Sequence, residues 1–157
     1  MAARIHTAAL TCLALLMVSC ARQVDLATAL QVEEVTTGWF DAGIVNGNNK
    51  LVPSISFRLR NASSQDLRLQ LNAVYKILPE GEDRDDSFLQ NIGVPANGTS
   101  DPITVRAESG FTSEAPRAEM LQHRLFQDFE VRLFAKHGAS SWVPLGEYRV
   151  ERQLLTR

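Results

Sequence analysis

Between Leu67 and Ile77 every odd position is apolar or aromatic: Leu67, Leu69, Leu71, Ala73, Tyr75 and Ile77. The intervening positions are Arg68, Gln70, Asn72, Val74 and Lys76. A helix would scatter the first set around its circumference, whereas a strand gathers it on one face. This stretch therefore has to be a strand with one buried side. Ile55, Phe57 and Leu59 repeat the pattern against Ser56, Arg58 and Arg60. The turn-forming run Asn61-Ala-Ser-Ser-Gln-Asp66 lies between them, so 53–61 and 67–78 are expected to form a hairpin.

The same period extends along the chain. Strands are expected over 31–37, with a continuation through Trp39 and Phe40, and over 87–94, 101–107, 129–135 and 142–154. The stretches Asn46-Gly-Asn-Asn49, Pro95-Ala-Asn-Gly98 and His137-Gly-Ala-Ser140 supply turns. Residues 113–127 break the alternation. They carry Ala118, Leu121 and Leu125 at helical spacing, with Ser113 as a cap and Pro116 in the first turn. The expected fold is an immunoglobulin-like antiparallel β-sandwich of about seven strands with one short connecting helix. It lacks the disulfide and strand-C tryptophan of antibody domains, and a small barrel is the alternative.

The N-terminus has a different character. Arg4 precedes an apolar stretch from Ala8 to Val18, broken only by Thr11. Eleven residues are too few for a permanent span, which needs about 20. They suit the core of a secretory signal. The run Leu16-Met17-Val18-Ser19-Cys20-Ala21 resembles the lipobox of bacterial lipoproteins. That resemblance implies cleavage after Ser19, diacylglyceryl transfer to Cys20 and acylation of the new amine. It divides the chain into a signal at 1–19, a lipidated tether at 20–29 and a sandwich domain at 30–157. Alanine rather than aspartate after Cys20 points, by the enterobacterial sorting rule, to the outer membrane rather than the inner. The protein is thus expected in the cell envelope, lipid-anchored and facing the periplasm.

A second resemblance covers residues 54–98. Phe57-Arg-Leu-Arg-Asn-Ala-Ser63, Tyr75 and the turn Pro95-Ala-Asn-Gly98 resemble the FxLYD-type sandwich domains of small bacterial envelope proteins. The family's own Phe-x-Leu-Tyr-Asp run is absent, since 72–76 read Asn-Ala-Val-Tyr-Lys. The resemblance implies an extracytoplasmic interaction module without established chemistry.

The inventory of reactive groups is short. Of the two cysteines, Cys12 lies in the signal and Cys20 is the expected acylation site. Beyond the signal the histidines are His123 and His137, neither at metal-ligand spacing. There is no Gly-x-Ser-x-Gly elbow and no phosphate-binding glycine loop. Sixteen basic and eighteen acidic residues carry no nucleic-acid signature. The acidic loop 80–86 offers carboxylates suited to calcium, but its spacing is not that of a calcium loop and Arg84 interrupts it. No catalytic residue, metal site or cofactor is assigned.

One surface stands out. If the strands at 67–78 and 129–135 are neighbours, with the last strand beside them, Val74, Phe134 and Leu145 form an outward apolar patch. Such a patch marks a partner surface. The expected role is a lipid-anchored, non-enzymatic envelope module, an accessory subunit of an assembly or transport system. Its partners would be the membrane, through acyl chains, and another envelope protein. The alternative is a binding protein for a small apolar or glycan ligand, with a cavity lined by Trp39, Trp142 or Phe111.

Overall fold

The structure is a computed structural model that describes residues 24–79, 81 and 83–155. Among the described residues eight strands form two antiparallel sheets packed face to face. In chain order they are β1 (Leu30–Val45), β2 (Asn48–Asn61), β3 (Leu67–Leu78), β4 (Asp83–Val94), β5 (Ile103–Arg106), β6 (Phe111–Ser113), β7 (Asp128–His137) and β8 (Val143–Arg149). One sheet runs β1-β2-β5, with β6 also pairing with β2; the other runs β4-β3-β7-β8. This is an all-β sandwich with the immunoglobulin-like arrangement. Two single-turn helices, α1 (Leu26–Ala29) and α2 (Arg117–Met120), complete it.

The alternation places the core where the sequence leads one to expect it. Ile55, Phe57 and Leu59 from one sheet face Leu67, Leu69, Leu71, Ala73 and Tyr75 from the other, and all are buried. Tyr75 donates its hydroxyl proton to the Val105 carbonyl at 2.9 Å, which satisfies the phenol inside the core. At the turn between β1 and β2, Asn46 and Gly47 both have positive φ, 51° and 81°. That is the backbone a two-residue hairpin demands, and asparagine followed by glycine adopts it at low cost.

The expected hairpin between 53–61 and 67–78 does not form. β2 and β3 belong to different sheets, and the 62–66 loop arches from one to the other. Two strands that face each other across a core show the same alternation as two paired side by side, so the pattern identifies a face but not a neighbour. Asn61 holds the arch. Its Nδ2 donates to the carbonyls of Gln65 at 2.8 Å and Pro95 at 3.1 Å, and its Oδ1 accepts from the Ser63 amide at 2.9 Å.

The expected helix over 113–127 is reduced to α2, a single turn. Ser113 lies in β6 and accepts from the Ala115 amide, while Met120 and Leu121 turn into the core. Leu125 is 65% exposed, because the chain has left helical spacing by then. Phe126 enters the core in its place. The last strand ends at Arg149, short of 154; the chain beyond it runs beside Trp39, whose amide donates to the Gln153 carbonyl at 2.8 Å. At the other end, Leu26 and Ala29 are buried, so the folded body takes in residues assigned to the tether from sequence.

Candidate functional site

The outer face of the β4-β3-β7-β8 sheet is built by the strand registers. Phe88 stands opposite Asn72, Asn72 opposite Phe134, and Phe134 opposite Pro144. These four form one row across all four strands, at about 4.8 Å per strand. On one side of it lies the charged row Asp86, Val74, Arg132 and Glu147. On the other side lie Gln70, Lys136 and then Trp142, just before β8. Phe88 is 58% and Trp142 37% exposed. Their rings approach to 6.1 Å, and the Lys136 ammonium lies 5.1 Å from the indole. The Asn72 Oδ1 is enclosed, with no hydrogen-bond partner among the described residues.

Two of the three residues expected on this face belong to it. Val74 and Phe134 are half-buried and lie on adjacent rows. Leu145 does not. A bulge in β8 lets Leu133 oppose Gly146 while Phe134 opposes Pro144, and Leu145, at the extra position, packs against the core. The bulge reverses the parity of the strand, so Val143 and Tyr148 both pack inward and Trp142 points out. Phe88, Pro144 and Trp142 were missed for two reasons. β4 has its own register shifts, and unbroken alternation from Tyr148 and Val150 would turn Trp142 inward.

Trp39, Trp142 and Phe111 do not share a cavity. Trp39 is fully buried, with Phe126 edge-on at 4.4 Å and Phe129 at 5.5 Å. These rings fill the space that the alternative, a ligand carrier, would need beside Trp39. Phe111 packs on Phe126 at 5.1 Å and lines a shallow surface cleft with Lys50, Arg84 and Gln127. Trp142 lies on the outer face at the opposite end. Phe40, next to Trp39, points outward, and the Arg106 guanidinium covers its ring at 3.4 Å.

The carboxylates are used structurally. Asp128 accepts from Arg152 at 2.6 Å and from Arg149 at 2.9 Å, and these bonds, the Arg152 one foremost, hold its carboxyl below the usual range. Arg152 also donates to the carbonyls of Leu121 and Phe126, strapping the 113–127 segment down. In the acidic loop, Asp83 pairs with Arg132 at 2.7 Å and Asp85 accepts the Ser109 amide; Glu80 and Glu82 lie outside the described residues. Among the described residues no three His, Cys, Asp or Glu side chains are grouped to hold a metal. Burial pushes the Tyr75 and Tyr148 phenols up. Cys20 also lies outside the described residues.

No protein-family model matches the chain, and no curated protein matches it in sequence. Several solved structures are similar in path. A protein from Archaeoglobus fulgidus is 13% identical over 80% of this chain and all of its own, with a TM-score of 0.45. A Bacteroides uniformis beta-glucuronidase is 15% identical over 80% of this chain, with a TM-score of 0.47, but only 13% of that enzyme is covered. An immunoglobulin-like protein from Pseudomonas aeruginosa is 15% identical over 82% of this chain and all of its own, at a TM-score of 0.33. The sandwich assignment rests on this chain's own strand pairing.

Proposed function

We propose that the protein is a lipid-anchored, non-enzymatic interaction module of the bacterial cell envelope, an accessory subunit of an assembly or transport system. The observation that carries the reading is the open row Phe88, Asn72, Phe134 and Pro144, flanked by Val74. Aromatic rings such as Phe88 and Phe134 on a sheet face are a typical recognition surface, since aromatic side chains supply large contact area with few rotamers to freeze.

The anchor rests on the lipobox-like Leu16-Met17-Val18-Ser19-Cys20. Two or more acyl chains hold a domain stably on a bilayer, because each buried methylene adds about 0.8 kcal/mol. The outer membrane is the favoured location, on the alanine after Cys20. The test is the intact mass of the protein taken from its own membranes. The expected product begins at Cys20 and carries acyl mass, and Cys20→Ser releases the protein or leaves it uncleaved. A processed, membrane-bound Cys20→Ser protein would overturn the anchor.

A further inference from the structure

The end of the sandwich that carries Val24 has a composition of its own. β1, β3 and β8 begin there, β2, β4 and β7 finish there, and α1 packs beside it. This inference rests on the acylation of Cys20 proposed above. Given that anchor, only residues 21–23 separate it from Val24. Four peptide steps reach at most about 14 Å. A twelve-residue strand such as β3 is about 40 Å long. The tether therefore holds this end, and not the other, against the bilayer.

The loops at this end expose small or uncharged groups, among them Ala62, Ser64, Pro95, Asn97, Ala139 and Ser141. The two carboxylates that flank the tether and the 62–66 arch are engaged with backbone. Asp25 accepts the Ala27 amide at 3.1 Å, and Asp66 accepts the Ala96 amide at 2.8 Å. The acidic residues Asp83, Asp85 and Asp86 sit at the start of β4, at the far end. At the near corner are Trp142, the Lys136 ammonium over its ring, and Arg68 on the same outer face of β3. His137 Nδ1 lies 2.9 Å from the Arg68 carbonyl and ties the 137–140 turn to β3.

We infer that this corner docks on the lipid surface, with Trp142 in the headgroup–acyl boundary and Lys136 and Arg68 against lipid phosphates. An indole prefers that depth because its ring is apolar and its N–H is polar. Basic side chains with apolar stems reach phosphate from the same depth, and anionic headgroups attract them.

The chain has two tryptophans, and Trp39 is fully buried, so Trp142 reports the contact. The acylated full-length protein is reconstituted in phosphatidylethanolamine–phosphatidylglycerol vesicles whose acyl chains are brominated near the carbonyl end. Intact mass first reads whether Cys20 is acylated. Trp142 emission is expected to shift to the blue and be quenched, and Trp142→Phe is expected to lose both responses. An acylated protein whose emission stays unshifted and unquenched overturns the docking and leaves the anchor standing. A protein without acyl mass overturns both. Unquenched emission that instead becomes shielded from aqueous iodide in native membranes assigns the corner to a protein partner, which also overturns the lipid contact.

Discussion

The indole of Trp39 meets the ring of Phe126 edge-on at 4.4 Å, joining the middle of β1 to the irregular segment before β7. This contact closes one end of the core. Trp39→Ala is expected to cost about 3–5 kcal/mol, the usual range for deleting a buried aromatic. Trp39→Phe should cost clearly less. It keeps a ring in place and removes the indole N–H, which is enclosed without a partner. Urea unfolding of the two variants measures the difference; equal losses would contradict a packing role for the Trp39 ring.

Asn61 joins two loop segments, the 62–66 arch and the turn at Pro95, through one side chain, and it is fully buried. Asn61→Ala leaves the Gln65 and Pro95 carbonyls without that donor. The expected loss is about 2–3 kcal/mol, the cost of leaving buried polar groups unmet. Exposed Ser64→Ala in the same loop should stay within about 0.5 kcal/mol. Thermal unfolding compares them.

The Asp128 carboxyl titrates below its ordinary value of 3.8, because Arg152 and Arg149 hold the charged form. Its contribution to stability is therefore complete above the unfolded value. It falls as the pH drops through that value and is gone below the lowered folded one. Asp128→Asn should be less stable than the natural protein at pH 7, and the gap should close on acidification. Unfolding midpoints from pH 7 down to acid read it directly.

Much of the fold was legible because burial has a period. The alternation in 67–77 and 129–135 identified two inward faces, and β3 and β7 do pair as neighbours with β8 beside β7. The partner of β2 was not legible, since side-chain alternation carries no information on which strand lies alongside. The helix over 113–127 shrank because Phe111, Phe126 and the Arg152 strap outweigh a weak helical pattern with Pro116 in it. The candidate face was half legible. Val74 and Phe134 follow from alternation alone. Leu145 and Trp142 exchange faces through a one-residue bulge that no local composition announces.

Phe134 lies in the middle of the sheet face proposed to engage another envelope protein. The most direct measurement is site-specific photo-cross-linking from position 134 in the full-length, membrane-anchored protein, with mass spectrometry of the adducts. One recurring partner at fixed stoichiometry is predicted, lost when Phe88→Asp is added to the same chain. Phe88 is exposed, so that change should alter stability by no more than about 1 kcal/mol. Position 134 cross-linking to nothing but water and lipid, in a folded and anchored protein, would contradict the account.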